Sequence, residues 1–267
     1  MKIGIIGCGN MGRALIKGLI AQRFTSKRNI FCSDRDKRRL NAVRLKFGVG
    51  VVGSNSALIK KSNLIILAVK PQDVAAVCRD VMFSLQGKAV ISICAGITTK
   101  TLETLLGKVS LVRVMPNMPA QICQGISVMT PGKYATLKDK NEARAVFSCV
   151  GEVVEVKEKL MDAVTAISGS GPAYFFYCVE KLIEAAGQMG IPRPIAEKLA
   201  RKTVLGSAML IEQSFKKKAL EQMLRKRVTS KGGTTEAAFK ILEKKAFGNI
   251  LQQACYAAAK RSKQLQR

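Results

Sequence analysis

Along the first 158 residues, short apolar runs alternate with stretches whose apolar positions recur at helical spacing. Runs at 3–6, 29–33, 49–52, 64–69, 89–94 and 111–114 read as strands, with a last one at 152–156. Between them, 11–21, 37–47, 73–84 and 100–106 carry helical spacing, as in Leu40, Val43 and Phe47. Strand, helix, strand in this rhythm predicts an α/β domain: a doubly wound parallel sheet with crossover helices, over residues 1–158. After that the strands stop. Segments 162–167, 173–187, 194–215, 220–228 and 235–261 are helix-forming, the last with an interruption near Gly248. Pro194 suits the first turn of its helix. Residues 159–267 therefore read as an all-α domain. Its apolar helices are too few to close a core alone, so 163–167 and 203–211 are expected to bury surface against a partner in a homodimer.

Composition narrows the classes. The 267 residues are 48% hydrophobic, ample for globular cores and unlike a disordered chain. The apolar run 64–69 is far too short to span a bilayer, so no membrane partner is expected. A strand directly after Met1 leaves no room for a signal peptide, and a cytoplasmic protein is expected. The eight cysteines are scattered with no C-x-x-C pair, which argues against a zinc site and a disulfide framework. Histidine is absent, so His-based triads, His bases and His-liganded metals are excluded. No metal is expected.

The net charge of +27 raises the possibility of a nucleic-acid binder. The excess is not gathered into a tail: 25 basic and 10 acidic residues precede residue 159, and 20 and 8 follow. Trp is absent and there are four Tyr, so aromatic platforms for base stacking are scarce. Specific nucleic-acid binding is not expected. Generalised basicity that favours anionic small molecules, or that is simply a habit of the proteome, fits better.

Between the first strand and first helix sits Gly7-Cys8-Gly9-Asn10-Met11-Gly12. Gly7 would permit the tight turn, Gly9 the approach of a pyrophosphate, and Gly12 close helix–strand packing. The following helix would aim its free N–H groups at the phosphates. Asp34 lies at the end of the second strand, where an acid holds the ribose 2′-hydroxyl of NAD. Beside it, Arg35, Lys37, Arg38 and Arg39 suit the 2′-phosphate of NADP, so the two signals oppose one another. A solvated helix start is the plainer alternative. NADPH is the favoured cofactor here. At the end of a later strand, Ala68-Val69-Lys70-Pro71-Gln72 offers a stiff turn at the cofactor crevice, and Ala95-Gly96 leaves room for a nicotinamide. Either stretch also reads as a plain connection.

In the helical half, Ser168-Gly169-Ser170-Gly171-Pro172-Ala173-Tyr174 reads as a hinge-like loop. Val228-Thr229-Ser230-Lys231-Gly232-Gly233-Thr234-Thr235-Glu236, with Ser230–Thr235 at its centre, reads as an anion nest before a helix, suited to a carboxylate. Both also serve as ordinary capping loops.

Together these motifs, with Met115-Pro116-Asn117-Met118-Pro119-Ala120, resemble pyrroline-5-carboxylate reductase over essentially the whole chain. The resemblance implies a Rossmann domain followed by an interleaved helical dimerisation domain. It implies reduction of 1-pyrroline-5-carboxylate to L-proline with NAD(P)H, the last step of proline biosynthesis, in a homo-oligomer that is a dimer or a ring of dimers. Asn55, Ala68, Lys70 and Ala95 would join the glycine loop at the cofactor. Ser230, Gly233, Thr234 and Thr235 would receive the substrate from the partner subunit, with the Gly232 amide in the same nest. Thr235 is the candidate catalytic residue, hydrogen bonded to the ring nitrogen. Two positions depart from the family pattern: Met118 stands where Thr is usual, and Lys231 where Pro is usual. Rival readings are a related Rossmann reductase of another imine or of a 2-oxo or 3-hydroxy acid, and a basic nucleic-acid-binding protein. The β-hydroxyacid dehydrogenases use a lysine on a second-domain helix, and no matching pattern surrounds Lys181 or Lys198.

Overall fold

A computed structural model describes residues 1–213 and 220–265. The expected helix 194–215 thus ends beyond them, with Ser214 and Phe215 outside the described residues. The chain divides into two compact units, Met1–Pro172 with Tyr256–Arg267, and Ala173–Cys255.

The first unit opens with β1 (Ile3–Ile6), α1 (Asn10–Ala21), β2 (Ile30–Ser33), α2 (Lys37–Phe47), β3 (Gly50–Val51) and α3 (Asn55–Lys61). It continues through β4 (Leu64–Leu67), α4 (Val74–Val81), β5 (Ala89–Ser92), α5 (Thr99–Leu106) and β6 (Ser110–Met115). β7 (Gly125–Pro131), α6 (Leu137–Ser148), β8 (Gly151–Glu155) and the short α7 (Met161–Val164) complete it. The sheet order is β3-β2-β1-β4-β5-β6-β7-β8. β1 pairs in parallel with both β2 and β4, Ile5 lying opposite Cys32 and Ile66. Strand order reverses around β1, which opens a crevice at the carboxyl ends of β1, β2 and β4.

Side-chain alternation divides β4 between two cores. Leu64 and Ile66 join Ile3, Ile5, Leu15 and Ile16 on one face. Ile65 and Leu67 join Ile6, Leu58 and Val74 on the other. Because helices cover both faces, β1 and β4 are buried at every position and read as continuous apolar runs. Each such side chain contributes about 1.5–3 kcal/mol of transfer free energy.

One strand went unread in the sequence: β7, which runs antiparallel to β6, with Val114 opposite Met129. The sheet is therefore mostly, not wholly, parallel. The segment 116–124 is too short for the crossover helix that a parallel connection requires. The Asn117 side-chain oxygen accepts the Ile126 N–H at 3.0 Å and fixes the return.

The second unit holds α8 (Gly171–Gln188, beginning in the first unit), α9 (Arg193–Gln213), α10 (Leu220–Arg227) and α11 (Thr234–Lys244). α12 (Phe247–Gln264) returns the chain to the first unit, where the Ser262 hydroxyl donates to Asp162 at 2.7 Å. The expected interruption near Gly248 falls at Ala246, whose φ of 53° breaks the helix two residues earlier. Among the described residues no helix is long and apolar enough to cross a membrane.

Candidate functional site

The glycine loop is built by close backbone packing. Gly7 donates its N–H to the Ser33 carbonyl at 2.8 Å and has φ 106°. A Cβ there would lie 2.4 Å from the Ala68 carbonyl oxygen, and one on Gly12 would lie 2.2 Å from that of Gly7. Both positions exclude any side chain. Gly9 is different: its φ of −68° suits any residue, and a Cβ would meet nothing within 4 Å. The space beside it belongs to a cavity of about 650 Å³. Gly9 caps α1 without a side-chain hydrogen bond, and no acid stands in the first turn, so the helix start can receive an anion.

The cavity is lined by ten of the residues expected at the cofactor: Gly7, Gly9, Asn10, Met11, Asp34, Arg35, Asn55, Ala68, Val69 and Lys70. Gly12 packs beneath the loop, Pro71 opens a short 3-10 turn, and Ala95 lies three residues beyond β5; none of the three lines the cavity. Arg39 does line it, whereas Lys37 and Arg38 of the same basic run do not. Asp73, Ala76, Val77 and Asp80 form a further wall that was not singled out in the sequence. Their spacing of three, four and seven, from Asp73 before α4 to Asp80 near its end, is the signal for a shared face.

Asp34 has both carboxylate oxygens engaged by backbone, accepting Cys8 N–H at 2.7 Å and Asp36 N–H at 2.8 Å. It ties the turn after β2 to the glycine loop. Asp36 caps α2 through the N–H groups of Arg38 and Arg39. Arg35 reaches Asp73 in an ion pair of 2.6 Å, and Arg39 pairs with Asp36 at 3.3 Å. Asn55 accepts from the Ser33 hydroxyl at 2.7 Å and donates to Asp80 at 2.8 Å. Below the loop, a hydrogen bond to Cys8 and burial push the Cys32 thiol well above its ordinary range. Burial likewise raises Cys78 to about 11. These thiols pack as protonated apolar groups.

In the first unit, Thr165–Gly169 forms a π-helical turn closed by Ser170 N–H on the Thr165 carbonyl at 2.8 Å. A Cβ on Gly169 would lie 2.8 Å from the Met115 Cε atom, so this turn packs closely on the carboxyl end of β6. Met118, in the following 3-10 turn, is exposed.

The loop Ser230–Thr235 lies in the second unit. Gly233 N–H closes a turn on the Ser230 carbonyl at 3.0 Å, with Gly232 at φ 75°. Lys231 is not among the residues with positive φ, so the turn is type II, whose second position favours proline and whose third favours glycine. Gly233 caps α11 without a side-chain bond, leaving the helix start open. The Gly232 N–H, expected to face a substrate carboxylate, donates instead to Glu236 Oε2 at 2.8 Å. Thr234 is exposed and Thr235 half-buried.

Comparison with known proteins agrees with both halves of this description. Residues 158–265 match the family model for pyrroline-5-carboxylate reductase dimerisation. Residues 2–96 match that for NADP oxidoreductase, coenzyme F420-dependent. Pyrroline-5-carboxylate reductase of Methanosarcina acetivorans is 40% identical over 99% of this chain and 97% of its own length. The chain belongs to the pyrroline-5-carboxylate reductase family. The Arabidopsis thaliana pyrroline-5-carboxylate reductase is 37% identical over 99% of this chain and 95% of its own. The crystal structure of the Plasmodium falciparum pyrroline carboxylate reductase, with NADP bound, superposes with a TM-score of 0.90 at 31% identity, covering 100% of this chain and 98% of that one. A prephenate dehydrogenase of Aquifex aeolicus, 17% identical with a TM-score of 0.57, shares the fold alone.

Proposed function

We propose that this chain reduces 1-pyrroline-5-carboxylate to L-proline with NADPH in preference to NADH, closing proline biosynthesis. The observation that carries it is full-length kinship with pyrroline-5-carboxylate reductases, joined to a cavity bounded by an uncapped, glycine-led helix start. The residues present fit a dinucleotide. Gly9 leaves open the space a pyrophosphate needs, and the first amides of α1 donate to it. Asn10, Met11, Val69 and Lys70 would flank the cofactor, with Ala68, Pro71 and Ala95 shaping the backbone near it. Arg35 and Arg39 support the preference for the 2′-phosphate, because both line the cavity and carry permanent charge. Asp34 braces the loop, its oxygens already bonded to backbone N–H groups.

When bound, NADPH supplies the hydride that the electrophilic imine carbon accepts. The chain supplies alignment and charge. Ser230, Gly232, Gly233 and Thr234 form the substrate loop, and the amides at the start of α11 neutralise the substrate carboxylate. Thr235 hydrogen bonds the ring nitrogen and steers its proton. Exposed apolar side chains on α8 and α9, such as Phe175, Phe176, Leu182, Leu199 and Leu205, support a homo-oligomer, a dimer or a ring of dimers. Free thiols throughout the described residues fit a cytoplasmic setting.

The test is nicotinamide absorbance with 1-pyrroline-5-carboxylate as substrate, run with NADPH and again with NADH. Turnover yielding proline, faster at low NADPH than at low NADH, is expected. Tight cofactor binding without turnover would refute the substrate; equal use of both cofactors would refute the preference.

A further inference from the structure

Two ion pairs stand among the residues that line the cofactor cavity. Arg35, on the turn after β2, reaches across to Asp73, on the turn after β4, at 2.6 Å, and both residues line the cavity. Arg39 is held by Asp36 on the same rim. The two turns approach from opposite sides of the point where strand order reverses, so the Arg35–Asp73 pair spans the crevice. Three-quarters of the Arg35 side chain is exposed, against 23% for Asp73: a solvated cation sits on a more buried anion.

We propose that Asp73 is a specificity-determining residue that restrains the preference for NADPH by competing with the 2′-phosphate for Arg35. This rests on the reading that Arg35 receives that phosphate. A phosphate dianion must draw the guanidinium away from the Asp73 carboxylate before it can pair with it. A 2′-hydroxyl makes no such demand. The pair therefore taxes NADPH binding and leaves NADH binding untouched. Because the ion pair is exposed, the tax is small, about threefold in affinity.

Replacing Asp73 with Asn keeps the shape and a hydrogen-bonding oxygen while removing the charge. In fluorescence titrations of the purified protein, Asp73→Asn should lower the Kd for NADPH about threefold and leave that for NADH within error. Arg35→Ala should weaken NADPH about tenfold, and Asp73→Asn should have no effect in that background. Asp73→Ser serves as a second variant should Asn disturb the turn. Unchanged or weaker NADPH binding in both Asp73 variants overturns the inference, as does an equal gain for NADH or a gain that survives Arg35→Ala. If Arg35→Ala itself leaves NADPH binding unaltered, the phosphate reading of Arg35 falls, and the inference with it. A loss in Arg35→Ala with no gain in the Asp73 variants removes the inference alone.

Discussion

In the loop Gly7–Gly12 two of the three glycines meet packed backbone: Gly7 abuts the Ala68 carbonyl, Gly12 abuts Gly7, and Asp34 bonds the amide between Gly7 and Gly9. In the loop Ser230–Thr235, Gly232 has nothing within 4 Å of where its Cβ would stand. That loop is held by its turn hydrogen bond and by the Glu236 carboxylate on the Gly232 amide. Both loops lead into a helix whose first residue has no side-chain cap. The first is shaped by the sheet around it, so its geometry is fixed before any ligand arrives. The second is shaped by contacts within a few residues, so its geometry depends on individual side chains there. Preorganisation of the cofactor loop is thus a property of the fold, and that of the substrate loop a property of local sequence.

The largest effect should come from filling the one open position of the first loop. Gly9→Val should weaken NADPH binding by roughly a thousandfold, because the side chain occupies the phosphate space. The melting temperature should stay near wild type, since φ at Gly9 is ordinary and the Cβ meets no neighbour. A titration with undiminished NADPH affinity would show that the open space is not the cofactor's.

Thr235→Ala should lower kcat about a hundredfold with little change in NADPH affinity. Equal turnover in a steady-state assay would remove Thr235 from the chemistry.

A smaller effect tests the local character of the second loop. Glu236→Ala should raise the KM for 1-pyrroline-5-carboxylate about fivefold by freeing the Gly232 amide. Adding Lys231→Pro should recover much of that loss, because proline fixes the second position of a type II turn. A KM that does not move in Glu236→Ala would mean the turn alone holds the loop.

The mildest probe compares access. Cys8 is wholly buried, so iodoacetamide should leave it unmodified in the native protein, whereas Lys231→Cys should be labelled within minutes. Rapid labelling of Cys8, read by peptide mass, would show that the first loop opens.

Much of the fold was legible. The runs read at 3–6 and 64–69 contain β1 and β4, whose burial on both faces leaves each strand without a polar side chain. β7 escaped, although Gly125–Pro131 is nearly as buried, because its run is interrupted by Ser127 and Thr130, which are buried too. In the candidate site, Gly7, Gly9 and Gly12 were legible from spacing. Asp73, on the turn before α4, and Asp80, within it, share one face by their spacing, but nothing local marks that face as turned toward a crevice.

The sequence by itself determined the alternation of strands and helices, the change to helices after about residue 158, the glycine loop and the family, because these depend on periodicity and on short spacings along the chain. Only the tertiary structure decided that β7 runs antiparallel, that Asp34 braces a loop, and that Arg35 meets Asp73 across the crevice. Those outcomes depend on which strands become neighbours. Arg35 and Asp73 are far apart in sequence, and the order of the sheet places them within a hydrogen bond of each other.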